Sequence, residues 1–178
     1  MSFLDKLFGK KETKVENKIE PKVETKTNKV EPMPRDQFFD LIMNVCDWDR
    51  SGDDNAVLKP LIDHLSKQSD EVIFSFEETM TELLYELDTK ENMERAVKCY
   101  PHSDDTFLYS RCVALINGKQ YFEEAKAGKR KDLWTSEFEA ILYVARSAWA
   151  LKNGRDQNAF PYFSKLSYET GSNKEAWS

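Results

Sequence analysis

Two histidines, three cysteines and six glycines are all that 178 residues contain of the residue types on which most compact catalytic motifs depend. His64 and His102 stand in neither a His-Glu-x-x-His run nor any other zinc-binding spacing, so no metal site is expected. A Gly-rich phosphate loop, a Gly-x-Ser-x-Gly elbow and a dinucleotide fingerprint are all missing, so no cofactor is expected either. Cys46, Cys99 and Cys112 are odd in number, widely spaced and without a Cys-x-x-Cys pair, which excludes a disulfide framework and points to reduced, semi-buried thiols. A Cys-His-Asp nucleophile can be drawn from Cys99 and His102 across Pro101 with the aspartate pair that follows, Asp104 and Asp105. No oxyanion feature accompanies it, however, and an ordinary helix junction explains the same residues. No apolar run approaches the roughly twenty residues that cross a bilayer, and no secretory signal opens the chain, so the expected compartment is the cytoplasm.

Charge is plentiful but unevenly placed. Residues 1–31 carry eight Lys and six acids, net +2, which leaves 18 basic and 26 acidic residues, net −8, for the remainder of a chain whose total is −6. An acidic domain repels phosphate backbones, so a nucleic-acid partner is not expected. The nearest approach to a basic patch, Lys126, Lys129, Arg130 and Lys131, reads as a solvated helix end.

Residues 1–11 place Phe3, Leu4, Leu7 and Phe8 on one helical face ringed by Lys6, Lys10 and Lys11. So short an amphipathic helix is marginal alone and suits attachment to a surface, lipid or protein, which would put the protein at the inner face of the membrane. Residues 12–34 repeat Lys-Val/Ile-Glu triplets broken by Pro21, Pro32 and Pro34. Such a segment buries too little apolar surface to offset its ordering entropy and is expected to be a disordered linker.

Residues 35–178 carry helical periodicity throughout, predicting an all-α, single helical-bundle domain of about six helices. Phe38, Phe39, Ile42, Met43 and Cys46 mark the first helix, which ends at Asp47-Trp48-Asp49-Arg50-Ser51-Gly52. That run matches the first half of a calcium loop, but Leu58 stands where the bidentate Glu is required, so a turn is expected. A second helix follows Asp53 or Asp54, with Pro60 introducing a kink or a late start. Ser69 caps the cleanest period in the chain, Ile73, Phe76, Met80, Leu83, Leu84 and Leu87, which should be central. Thr89 caps a fourth helix. Ser136 with Glu139 reads as a capping box for a last long helix ending at Gly154. Beyond it Phe160, Tyr162, Phe163, Tyr168 and Trp177 lose all period, predicting an irregular aromatic-rich C-terminal segment that covers an apolar groove.

Between these lies Ser103 to Gly118. Ser103 can accept a bond from the first turn, Asp104 and Asp105 favour the positive helix end, and Gly118 suits a left-handed stop. Asp104, Phe107, Leu108 and Arg111 share one stripe, so a guanidinium enters an apolar face and needs an acid. Glu137 or Glu139 is the expected partner. The string Ser-Asp-Asp-x-Phe-x-Tyr-x-Arg with its following Gly118 resembles the signature of the bacterial domain of unknown function 4240 family. The likeness runs from Phe38 and Phe39 through Ser136 to Ala145 and on to Ser167–Asn173. Val113 and Ala114 depart from the aromatic that relatives carry after the Arg. The resemblance implies a fold and no reaction.

With no catalytic residues to assign, the chain reads as a non-enzymatic protein-interaction module, an adaptor or immunity-type protein whose partner is another protein. Asp104, Asp105, Phe107, Tyr109 and Arg111 form the candidate ligand or partner patch. The alternative is a small-molecule-binding or carboxylate-based hydrolytic domain with its pocket under the aromatic tail, beside Asp105, Tyr109 and Arg111.

Overall fold

The computed structural model describes residues 30–178. The Phe3, Leu4, Leu7 and Phe8 stripe and the Lys/Glu repeat up to residue 29 lie outside the described residues. Eight α-helices follow one another: α1 (Arg35–Val45), α2 (Asp54–Leu65), α3 (Asp70–Leu87), α4 (Lys90–Cys99), α5 (Asp104–Ile116), α6 (Gly118–Lys126), α7 (Val144–Asn153) and α8 (Lys174–Trp177). Short 3-10 turns at Trp48–Arg50, Asp132–Thr135, Glu139–Tyr143 and Gln157–Ala159 join them, and no strand occurs among the described residues. The architecture is the all-α bundle expected, with helices added because Gly118–Lys126 stands alone and a single turn closes the chain.

α3 is the axis. Ser69 accepts from the Val72 N–H at 3.3 Å, satisfying one orphan donor of the first turn, and Asp70 and Glu71 complement the helix dipole. Ile73, Phe76, Met80, Leu83, Leu84 and Leu87 are fully buried against α1, α5 and α7. Removing each such side chain from water contributes about 1.5 to 3 kcal/mol before ordering costs. α2 begins at Asp54 under the Asp53 cap with Pro60 inside it, so of the kink or late start expected at Pro60 the late start does not occur.

Two local expectations fail for one tertiary reason. Ser136 and Glu139 make no capping box, and α7 starts only at Val144. The Ser136 carbonyl accepts instead from Ser110 Oγ at 2.9 Å, and the Phe138 N–H donates to the Tyr109 carbonyl at 3.1 Å. The strand-like residues before Glu139 are thus stitched to α5 and cannot enter the helix. The capping box that does form joins Ser103 and Thr106 at the head of α5.

Met33 is buried, donates to the Ser75 carbonyl at 3.2 Å and accepts from Thr79 Oγ1 at 2.8 Å, so the packed core already includes this residue ahead of the expected boundary at 35. Deleting residues 1–32 is expected to leave the melting temperature within a few degrees of the full chain, because that composition builds no core. A larger fall in a thermal melt would show that the segment packs on the domain. Cys46 and Cys112 are buried and Cys99 is exposed, all three free. Burial pushes the two inner thiols up to about 12, which leaves them inert.

Candidate functional site

Beyond α7 the chain does not simply trail over the bundle; it is pinned at two places. At the first, Phe160 meets Trp149 and Phe74 edge-on at 6.0 and 5.5 Å, and Tyr162 stacks on Phe74 at 5.0 Å. The Tyr162 hydroxyl donates to Glu78 on α3. At the second, Asp88, the residue after α3, is fully buried and accepts from the Gly171 and Asn173 N–H groups at 3.0 Å each and from Trp177 Nε1 at 2.9 Å. Arg111, equally buried, reaches the same segment by donating to the Tyr168 carbonyl at 2.9 Å and to Thr170 Oγ1 at 3.2 Å. It also donates to the Leu84 carbonyl at 2.9 Å and lies over the Phe107 ring at 4.9 Å. The acid facing this guanidinium is Asp88 at 4.0 Å, not Glu137 or Glu139. Glu139 accepts instead from the Tyr143 hydroxyl at 2.8 Å.

Between the two anchors, residues 163–167 bridge a cleft of about 430 Å³ whose floor is α3 and whose far wall is α7. α3 supplies Glu77 and Thr81, one turn apart on the same face; α7 supplies Arg146; the arm supplies Phe160, Tyr162 and Tyr168. Glu77 is only 7% exposed, and its Oε2 meets no hydrogen-bond donor. Burial pushes this carboxyl up to about 7 from its usual 4.5; Arg146 pulls the other way and Glu78 adds to the rise. Arg146 Nε is likewise buried without a partner, and the guanidinium carbon sits 5.6 Å from the centre of the Tyr143 ring. Neither side chain takes part in an ion pair or a hydrogen bond with any described residue. Burial also pushes Tyr168 up to about 12 and, with the bond to Glu78, raises Tyr162.

The residues singled out from sequence are dispersed. Asp105 and Tyr109 line a smaller hollow of about 150 Å³ together with Glu139 and Tyr143, and Arg146, Tyr168 and Glu169 are shared between it and the main cleft. Phe107 and Arg111 lie in the core and line neither space. The Asp104 side chain is exposed, and its carbonyl accepts from Thr170 Oγ1 at 2.7 Å. His102 turns to the Tyr100 carbonyl at 2.7 Å and to Ser110, while Cys99 faces the Lys131 carbonyl, so they make no nucleophile and base pair. No group of three or more His, Cys, Asp or Glu side chains that could hold a metal ion occurs among the described residues. Asp47, Asp49 and Ser51 form the turn before α2.

The sequence held a signal for the residues it did not yield. Glu77 follows Ile73 by four residues and precedes Leu84 by seven, inside the apolar stripe of α3. Arg146 stands four residues after Leu142 and three before Trp149, both buried. A charge at an inward helical position was the cue in each case.

Fold and cleft together define an all-α domain with a charged, aromatic-lined open recess walled in part by its own C-terminal arm. The family model described as Protein of unknown function (DUF4240) matches residues 33–151, which is 119 of 178, and the chain belongs to that family. No curated protein and no solved structure matches it. Glu77, Asp88, Arg111 and Arg146 fall inside the matched region; the arm that covers the cleft lies beyond it.

Proposed function

We propose that this domain is a receptor for a small ligand and not an enzyme, with the cleft beneath the C-terminal arm as its binding site. The observation that carries the reading is Glu77: a buried carboxyl with an unpaired oxygen costs stability, and native folds retain such a group where it serves a ligand. A volume of about 430 Å³ with aromatic walls and the charged residues Glu77, Arg146 and Glu169 in its lining fits small-molecule recognition. A catalyst would need a nucleophile and base, or an acid and base, aimed at one point, and the cleft lining holds Glu77 and Glu169 beside one guanidinium with no His or Cys. The excess of acid in residues 32–178 weighs against a nucleic-acid partner. A protein partner is the second reading, favoured by Phe163, which stands 82% exposed on the cleft rim.

The test is a ligand-observed NMR screen of small polar fragments against the full chain. Fragments that compete with one another for one site, and that are lost when the exposed rim residue Asn158 is changed to Trp, support the receptor reading. A screen without hits, or hits that bind the Asn158→Trp protein equally well, would overturn it.

A further inference from the structure

We infer that the cleft takes a free α-amino acid with an apolar side chain, its ammonium group on Glu77 and its carboxylate on Arg146. This assignment rests on the receptor reading above and goes beyond it by naming the ligand class.

The argument is one of complementarity. Glu77 and Arg146 line the same space, and each carries a buried polar atom without a partner, Oε2 on the acid and Nε on the guanidinium. They attract one another electrostatically, yet no ion pair within 4.0 Å joins them. Two opposite charges that line one cavity without pairing, Glu169 being a second acid in its lining, match a ligand that carries the reverse pair on neighbouring atoms. The α-ammonium and α-carboxylate of an amino acid are such a pair. A simple cation would satisfy Glu77 but leave Arg146 unpaired and repelled, and a simple anion would do the reverse. The rest of the lining mixes an apolar, aromatic group, Phe160, Tyr162, Phe163, Leu166 and Tyr168, with polar residues and a second acid, Glu169. Its apolar part suits an apolar side chain and, through the ring faces, the ammonium group as well.

Titration supports the geometry. Glu77 titrates at about 7, so near neutral pH a substantial fraction of it is protonated, and an incoming ammonium drives it to the carboxylate. The charged and titratable groups around it are Glu78 on the same helix, Arg146 on α7, and Tyr162, Tyr168 and Glu169 on the arm. The two tyrosines stay neutral because their hydroxyls are raised, so the proton released on binding comes from Glu77.

The experiment is isothermal titration calorimetry of the full chain with L-phenylalanine and L-leucine, each compared with its N-acetyl and its carboxamide derivative. At least one of the two amino acids is expected to bind. Each blocked form should be weaker by about ten- to a hundredfold, the value of one charge-assisted hydrogen bond. Arg146→Met should bind the free amino acid no better than the parent protein binds the carboxamide. In buffers of different ionisation enthalpy at pH 7, binding should release about half a proton, a signature that Glu77→Gln abolishes. Carboxamide or N-acetyl forms that bind as tightly as the free amino acid would overturn the assignment, as would the absence of binding by both amino acids. If fragments still enter the cleft in the NMR screen while amino acids do not, the ligand class falls and the receptor reading stands. If nothing enters it, both fall.

Discussion

Asp88→Ala is expected to destabilise the domain by roughly 3 to 5 kcal/mol and to free its last ten residues. Two separate losses meet at this carboxylate. Arg111, fully buried with its nearest acid oxygen 4.0 Å away, is left as an uncompensated charge in the core. The Gly171 and Asn173 N–H groups and Trp177 Nε1 lose the acceptor that fixes them. Urea denaturation should show the drop, and limited proteolysis should show new cleavage after Ser167 with the bundle still intact. Asp88→Asn should fall between Ala and the parent, because the amide keeps one acceptor but presents its own N–H groups to donors. Arg111→Lys tests the other half. A lysine preserves the charge but cannot span the carbonyls of Leu84 and Tyr168 and the Thr170 hydroxyl at once, so it too should destabilise. An unchanged midpoint for Asp88→Ala, with no new cleavage, would mean that the arm is held by its aromatic contacts alone.

What was legible in the sequence was what is decided locally. The inward stripe of α3, its Ser69 cap, the Ser103 cap of α5 and the left-handed Gly154 stop all depend on residues within a turn or two, and all are present. Arg111 shows the limit. Its place on an apolar stripe required an acid, but the acid is 23 positions upstream at a helix end, and only the packing of α5 on α3 brings them together. Ser136 and Glu139 show the reverse error: a local capping pattern was overruled because Ser110 and Tyr109 claim the backbone there first. The candidate patch is divided by the same packing: the arm, tied down by Asp88, buries Phe107 and Arg111, while Asp105 and Tyr109 line the smaller hollow. Glu77 is not marked by the pattern because a single acid inside a strong apolar period does not weaken the helical reading of α3. Such a lapse in local consistency is where a binding site is expected.

Glu77→Gln should therefore raise stability, and only on one side of a defined pH window. In the unfolded chain this carboxyl titrates near 4.5; in the fold, burial moves it to about 7. The folded state thus binds the proton more tightly, so stability contributed by the protonated form is complete below pH 4.5. It declines as pH rises through the interval to 7 and is gone above it. The gap corresponds to roughly 3 kcal/mol at pH 8, taken from the shift at about 1.4 kcal/mol per pH unit. The neutral amide escapes that decline. Parent and Glu77→Gln should melt together near pH 4.5 and separate as the pH approaches 8, with the variant higher by about 2 to 4 °C for each kcal/mol. Equal melting curves at pH 8 would show that Glu77 is ionised at little cost, paired through solvent in the cleft. A variant that gains stability but loses its ligand would show what the buried acid is for: the fold tolerates a charge it would be more stable without, because the occupant of the cleft requires it.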